Sequence, residues 1–570
     1  VFTFSQLSGR VVNDNNEGIP FASILLKNPS TGTLTDSSGY FRLNGATQFP
    51  FTIVVSYAGY KSQEKVIRNS EVNNIVLQLQ LLYKTDTIVV TSRRRSERLQ
   101  DVRITISVIS GARADDAGTY NVNLVKEYVP SVQLYSSNPR NTGINIRGIG
   151  SPFGLTNDGL DPGVGFYVDG VYYARPAAAT LDFIDIERVE VLRGPQGTLF
   201  GKNTTAGAFS ITTRKPGFKP GADFEVSYGN YGFVQAKSSI TGPLGKKLAA
   251  RLSFSGTQRD GVVKNIRTDE YINDINNLGF HAQLLYKPSE YNSIILSGDA
   301  TRQRPNGYAQ VIAGVVKTQR PAYRQFDAII SDLHYQLPTL NPFDRIVDQD
   351  TPWQSDNDLG VGSLNIEIKI GPGTLTSTTA WRYWNWDPSN DRDFTGLQAL
   401  SKSQNPSKHR NWSQEFRYAG QISTRLSGVA GLFFIDQDLK TTGTEESGRD
   451  QWRFIQNSTD PNWQTPGLLD GYGAHTNSTI KSESAAIFAN VDWEAFTDFH
   501  VIPGIRYNYD KKDVTYDREV YGGLQTNDPD LIKLQQVAYS NQSFATGADE
   551  THFTYQLSLS YRPSRNINAF

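Results

Sequence analysis

Arginine set among glycines is the nearest thing to active chemistry in this sequence. Arg147 stands in Arg147-Gly148-Ile149-Gly150, and Arg193 in Arg193-Gly194-Pro195-Gln196-Gly197-Thr198-Leu199-Phe200-Gly201. Each guanidinium carries five donors in a rigid fork, able to hold turn carbonyls or a carboxylate. Between them lies Val164-Gly165-Phe166-Tyr167-Val168-Asp169-Gly170-Val171. The 6 histidines, at 281, 334, 409, 475, 500 and 552, show no i, i+4 pairing and have no cysteine nearby. A metal site built from sequence-local ligands is therefore not expected. Carboxylates are abundant, yet none forms a local pair in a glycosidase or protease context, and no nucleophile motif, phosphate loop or dinucleotide fingerprint is present. The residues read as those of a non-enzyme without metal or cofactor.

The elements that must position these arginines are short strands joined by tight turns. Apolar runs such as Gly165 to Val168 and Val189 to Leu192 are bounded by Gly, Pro and Asp, and Gly207-Ala208-Phe209-Ser210-Ile211-Thr212-Thr213 closes the stretch. The pattern predicts a compact α+β domain.

At 570 residues the chain is too long for one ordinary domain. Lys plus Arg is 56 against Asp plus Glu 57, a formal net charge of -1, so charge gives no footprint for nucleic acid. Mean hydropathy is -0.44, and no run of 18 apolar residues exists from which to build a helical span. A membrane β-barrel is still compatible, because lipid-facing residues alternate with polar lumen residues and dilute the hydropathy signal. The absence of cysteine removes disulfides and thiolate chemistry and suits a protein that crosses an oxidising periplasm. Methionine is absent as well, where ordinary usage gives on the order of ten. Val1 to Gln6 is consistent with the end of a secretory signal before a mature start near Leu7.

The order and spacing of motifs from Arg147 to Pro216 resemble the plug domain of TonB-dependent outer-membrane receptors. The implied fold is mainly β: an N-terminal β-sandwich, an α+β plug and an antiparallel transmembrane β-barrel of about twenty-two strands. Residues 1–80 carry short strands with frequent turns, including Gly9-Arg10-Val11-Val12 and Gly39-Tyr40-Phe41-Arg42-Leu43. They are similar to the carboxypeptidase regulatory-like domain found before plugs in Bacteroidota-type bacteria. That name implies no peptidase activity. Residues 81–95 read as a linker, 96–218 as the plug and 219–570 as the N-terminal part of the barrel.

Within the linker, Asp86-Thr87-Ile88-Val89-Val90-Thr91 is a β-prone segment able to add to a partner as an edge strand. The resemblance places the TonB box there; the alternative is that these residues are the first plug strand. Arg93-Arg94-Arg95 reads as a solvated linker feature. Plug arginines in such receptors pair with barrel glutamates, which makes Arg147 and Arg193 candidate latch residues and Glu415 their candidate partner. Gly148, Asp169, Gly170, Gly194, Gly197 and Gly201 complete the motifs. The bland alternative is that both arginines only hold local turn carbonyls.

Beyond residue 219 alternating runs pair into hairpins: 224–240 with 248–257, 280–286 with 293–300, 364–370 with 375–386, 412–419 with 426–435, and 486–493 with 499–509. An eleventh run lies at 553–561 and the start of a twelfth at 567–570. Long connections, about 302–360, 437–483 and 511–550, alternate with short turns, the asymmetry of outer-membrane barrels. A half barrel would leave its edges unsatisfied in lipid, so the 570 residues read as the N-terminal portion of a longer chain. Trp381, Trp384 and Trp386 fit an interfacial aromatic girdle. Phe153, Tyr172, Tyr173 and Arg175 are candidate ligand contacts on plug loops, suited to a large amphipathic ligand.

The resemblance implies import of a scarce ligand across the outer membrane, with TonB and lipid as partners and the N-terminal domain in the periplasm. The Leu-Arg-Gly-Pro string favours a ferric siderophore and departs from glycan importers, whose segment usually reads Leu-Lys-Asp-Ala. Glycan, cobalamin or peptide cargo, or a non-transporting scaffold, are the alternatives.

Overall fold

The computed structural model describes the chain apart from residues 1–5, 14–15, 28–30, 45–48, 58–59, 61, 69–74, 80–88, 91–93, 95–96, 100–101, 137–141, 151–158, 176–181, 457–460, 565–566 and 570. It divides into two compact units, Val1–Val89 and Val90–Phe570.

The first unit is two small sheets over one core. Gln6–Val12 pairs antiparallel with Tyr40–Asn44 and parallel with Ile75–Gln78. Opposite it lies a sheet of Gly32–Leu34, Ser23–Leu26, Phe51–Ser56 and Gln63–Ile67 in that spatial order. Period-two alternation sends Phe41, Leu43, Phe51, Ile53 and Val55 inward, where they meet Leu7, Val11, Ile24 and Leu77. The Thr35 hydroxyl donates to the Ile19 carbonyl at 2.6 Å and accepts from the Ala22 N–H at 2.8 Å, satisfying a buried turn.

The second unit begins with the α+β plug. Its five-stranded sheet runs Ile106–Ser110, Ile186–Arg193, Gly207–Thr213, Val164–Val168, Val171–Tyr172, and a second sheet holds Val132–Ser136, Thr142–Ile146 and Ile149–Gly150. Gly207–Thr213 pairs parallel with Val164–Val168 and antiparallel with Ile186–Arg193. Strands covered on both sides read as continuous apolar runs, as Val189, Val191, Leu192, Ala208 and Phe209 do. Helix Gly111–Asp116 starts at Ser110, whose hydroxyl accepts the Arg113 N–H. Single-turn helix Gly197–Phe200 sits beside the wall.

From Gly221 the chain forms a 14-stranded antiparallel sheet. Turns at one end are short (residues 244–247, 287–292, 371–372, 424–425 and 497–498), whereas those at the other reach 304–353, 448–472 and 522–541. Parity is strict. In Gln542–Ser564, Phe553, Tyr555, Leu557, Leu559 and Tyr561 are exposed, while Thr554, Gln556, Ser558 and Ser560 turn inward. No described helix is long and apolar enough to cross a membrane. The inner face wraps the plug, since Leu359, Val361, Ala380, Trp384 and Trp386 share one core cluster with plug residues Phe166, Val189 and Phe209.

Several sequence expectations are corrected. Residues 224–240 are two strands, Gly221–Gly229 and Phe233–Pro243, turning at 230–232, where Tyr231 and Gly232 are left-handed. Much of 437–483 and 511–550 is strand rather than loop: Leu426–Ser447, Gly473–Phe496, Phe499–Tyr521 and Gln542–Ser564 run 22 to 24 residues. A transmembrane strand needs about 9–11 residues. Beyond lipid both faces are polar and the alternation that marks a strand disappears while its ladder continues. Trp384 and Trp386 are no girdle: both are buried, with Trp384 Nε1 donating to Asn357 at 2.6 Å and Trp386 Nε1 to Ser355 at 3.0 Å. Only Trp381, on the opposite parity, faces outward. Among the described residues the sheet is open, with Gly221–Gly229 at one edge and Ile567–Ala569 at the other.

Leu557 lies mid-band on the outer face. Leu557→Arg is expected to cost about 2–4 kcal/mol against lipid, whereas the same change measured in urea titrations of detergent-solubilised protein should cost much less than in vesicles.

Candidate functional site

Charged and hydroxyl groups tie the plug to the wall, and one of the most enclosed of these contacts centres on Glu415. Strand Ser407–Ser423 turns Ser407, His409, Asn411, Ser413 and Glu415 inward and Lys408, Arg410, Trp412 and Phe416 outward. The Glu415 carboxylate meets Arg94 Nη2 at 3.5 Å and Arg417 Nη1 at 2.6 Å. Arg94 is itself buried, its backbone left-handed at φ 59°. Its guanidinium lies 4.5 Å from the Phe200 ring centre and 5.0 Å from that of Tyr167. Tyr167 in turn donates its hydroxyl to the Phe200 carbonyl at 2.8 Å. One carboxylate thus pairs with two cations beside a cage of aromatic faces, leaving the cluster one positive charge in excess. Such a pair adds little net stability, yet removing one member strands a buried charge.

Arg94 was read from sequence as a solvated linker residue, and that is corrected. Tyr167 and Phe200 were the missed signal: two rings brought together by the Val164–Val168 strand and the Gly197–Phe200 turn make a seat for a guanidinium. The expected latch residues are elsewhere. Arg147 is exposed at φ 56°, with its N–H donating to the Ser131 carbonyl. Arg193 donates from Nη2 to Ser107 Oγ at 3.0 Å, inside the plug. Neither reaches Glu415. Both sit on turns beside Gly148 and Gly194, and Arg193 is tied there by the adjacent plug strand.

Asp169 clasps a turn: its carboxylate accepts the Thr213 N–H at 2.9 Å and hydroxyl at 2.7 Å, fixing the Asp169-Gly170 corner to the end of Gly207–Thr213. Gly197 and Gly201 answer to the wall. A Cβ on Gly197 would lie 2.8 Å from Thr554 Cγ2, and one on Gly201, at φ 86°, 2.7 Å from Arg506 Nη2. Of the proposed box, Asp86, Thr87, Ile88 and Thr91 lie outside the described residues. Val89–Val90 forms a two-residue strand paired with Glu97–Arg98, and Val90 is buried. Phe153 also lies outside the described residues. Tyr172, Tyr173 and Arg175 are buried in this structure rather than open to solvent. Tyr172 Oη accepts from Asn203 at 2.6 Å, the Arg382 guanidinium stacks 3.4 Å over the Tyr173 ring, and Arg175 pairs with Asp161 at 3.6 Å.

Two further seams join plug and wall. Along the long strands, Arg103 pairs with Asp492, Lys202 with Asp510 at 3.2 Å and Asp161 with Lys512 at 3.3 Å, while Thr198 donates to Gln556 at 2.9 Å. On the early strands, Asp115 meets Lys237 at 2.9 Å, Asp185 meets Arg251 at 2.7 Å, and Asp182 accepts from Thr257 at 2.8 Å and Asn277 at 3.0 Å. Burial pushes the Asp182 carboxyl up to about 6, against the Thr257, Asn277 and Asn121 donors and the Lys237 charge, which hold it down. Among the described residues no group of three or more His, Asp or Glu is arranged to hold a metal.

Two outcomes follow from this geometry. Arg94→Ala and Glu415→Ala should each destabilise plug seating by about 3–5 kcal/mol, and the double variant by less than their sum, read as urea-dependent release of the plug to protease. Because the Asp182 carboxyl is raised on folding, its contribution is full below the ordinary carboxylate range and lost as pH rises through about 6. Asp182→Asn should therefore raise the thermal midpoint at pH 7.5 and leave it nearly unchanged near pH 4.

Residues 98–208 match the family described as the TonB-dependent Receptor Plug Domain, and residues 7–90 the CarboxypepD_reg-like domain. The pesticin receptor of Yersinia pestis is 30% identical over 161 residues, 28% of this chain and 23% of that receptor. The ferrioxamine B receptor of Salmonella typhimurium (strain SL1344) is 29% identical over 203 residues, 33% of this chain and 28% of that one. The crystal structure of the ferric yersiniabactin uptake receptor FyuA from Yersinia pestis superposes with a TM-score of 0.64 at 18% identity, covering 81% of this chain and 62% of that chain. The chain therefore spans about a quarter of the length of these curated relatives and 62% of the solved receptor. Residues 98–208 thus form a plug of the TonB-dependent receptor family, and the strands around it share the fold of a solved outer-membrane receptor.

Proposed function

We propose that the protein imports a ferric siderophore across the outer membrane, with TonB engaging residues 86–91 and the inner-membrane proton gradient supplying the work. The observation that carries this reading is the nature of the plug's hold. Beside two apolar contacts with the wall, around Trp384 and around Phe488, it rests on ion pairs and hydroxyl contacts, and the Arg94 to Glu415 pair begins three residues beyond Thr91. A pull on the linker acts on the short pairing of Val89–Val90 with Glu97–Arg98 and then on that pair, and charged contacts that water re-solvates release more readily than a continuous apolar core. Relatives named for ferrioxamine B and for ferric yersiniabactin support iron complexes as the cargo class. Residues 1–80 would stand in the periplasm as a spacer or interaction module, followed by the linker to residue 95.

Radioiron loaded separately on ferrioxamine B, yersiniabactin and a catecholate siderophore tests this in cells expressing the full gene product. At least one complex should accumulate, the accumulation should stop when a protonophore collapses the gradient, and deletion of residues 86–91 should abolish accumulation while surface binding persists. Uptake that survives the deletion counts against TonB coupling. Binding without accumulation in the parent would favour a scaffold.

A further inference from the structure

The plug is not held equally along the strands that face it. Where it faces strands Gly473–Phe496, Phe499–Tyr521 and Gln542–Ser564, the seam is closed by Arg103 with Asp492, Lys202 with Asp510 and Thr198 with Gln556. Two gaps there, beside Ser484 and beside Ser558, measure about 10 Å³ each, less than a single water needs with comfort. Strands Phe233–Pro243 to Ile275–Tyr286 are likewise stitched through Asp115, Asp182 and Asp185.

Against strands Ser293–Gln303, Gln354–Ile370, Gly373–Ser389 and Ser407–Ser423 the seam is different. A cavity of about 380 Å³ opens between plug residues Ser210 and Thr212 and wall residues Ser297, Ser363, Asn365 and Thr376, room for on the order of ten waters. It lies towards the short-turn end of the strands, with Arg94 and Arg417 among its lining residues. Towards the long-loop end it is capped by the apolar contact of Leu359, Val361, Ala380 and Trp384 with Phe166 and Tyr173. Among the described residues the polar plug-to-wall bonds on this side are Arg382 to the Tyr172 carbonyl at 2.9 Å and the Arg94 to Glu415 pair, with Gln283 of the neighbouring strand donating to Thr213 at 3.0 Å at the cavity's edge.

We propose that this sector is where plug and wall part, and that the hydroxyl-lined cavity is the inner half of the passage for a polar solute bearing hydroxyl or amide groups. The inference rests on the import reading above. Ser, Thr and Asn side chains exchange protein contacts for water at little cost, so widening this side disturbs less than opening either ion-paired seam. Removing Arg94 from its aromatic seat also frees one wall of the same cavity, which couples the linker to the passage.

The chain has no cysteine, so single thiols report cleanly. Ser297→Cys and Ser363→Cys place one in the cavity; Ser484→Cys and Ser558→Cys place one in the closed gaps. Each is exposed from outside intact cells to a membrane-impermeant fluorescein maleimide during uptake of the ferric complex accumulated by the parent, with and without protonophore, and iron uptake is measured in parallel. Labelling of the first two should accelerate several-fold in energised cells, and that of the second two should not change. Acceleration at Ser484→Cys or Ser558→Cys instead, or at all four alike, overturns the sector while leaving import standing, as does unaccelerated labelling at Ser297→Cys and Ser363→Cys with uptake intact. A parent that accumulates no iron complex overturns both.

Discussion

Strand parity between two solvents is the constraint on which the rest of this molecule depends. Inside a bilayer every backbone N–H and C=O must be bonded within the protein, so the wall has to be a continuous ladder, and a ladder leaves each side chain only two directions. One direction is lipid. In Gln542–Ser564 it takes Phe553, Tyr555, Leu557 and Leu559, and the intervening Thr554, Gln556 and Ser558 are thereby committed to the interior. A register slip of one residue would exchange the two sets entirely. The polar inner surface is a consequence of that rule, and the plug has to fit a surface of hydroxyls, amides and charges.

That requirement explains why the plug has two kinds of outer residue. Where its own sheet needs covering, it meets apolar positions that the wall turns inward, Leu359, Val361, Ala380, Trp384 and Trp386 on one side and Val429, Ile435 and Phe488 on another. Elsewhere it presents Arg94, Arg103, Asp182, Asp185 and Lys202 to partners of complementary charge or donor capacity. Desolvating such groups offsets much of their attraction, so they specify one seating more than they stabilise it. Glu415 shows the balance: a lone carboxylate there would be costly, and with Arg94 and Arg417 on either side it becomes the charge that keeps both guanidiniums buried.

Much of this was legible in the residues, for reasons that can be named. The plug motifs are turns and short strands whose glycines and apolar runs are local, so Arg147 to Thr213 was recognisable without tertiary information. The hairpins were visible wherever one face meets lipid. Legibility failed in three places. The turn at Asn230-Tyr231-Gly232 was hidden because Tyr231, left-handed at φ 60°, reads as one more aromatic strand residue. The upper halves of the long strands read as loops because neither of their faces is apolar. Trp384 and Trp386 were assigned to the membrane interface, although their separation from Trp381 by an odd number of positions already put them on the other face. Long-range pairings escaped entirely: nothing local ties Arg94 to Glu415, 321 residues later, or Arg103 to Asp492.

The misreading of Arg94 carries a physical lesson about linkers. A run of three arginines after a polar, β-prone segment has every mark of a hydrated tether, and the neighbours Arg93 and Arg95 lie outside the described residues. Yet a guanidinium is weakly hydrated for a cation and stacks on aromatic faces, so a single member of such a run can be drawn into a protein when a carboxylate and two rings await it. The structure supplies all three around Arg94 from separate elements: Tyr167 from a plug strand, Phe200 from a one-turn helix and Glu415 from the wall. The tether is therefore anchored at its inner end by a contact whose members are contributed by both parts it would have to separate, and whose loss leaves charge where charge is poorly tolerated. Under the pull proposed above, a linker attached in this way would pass tension to the plug and the wall together, which an entirely solvated one could not do.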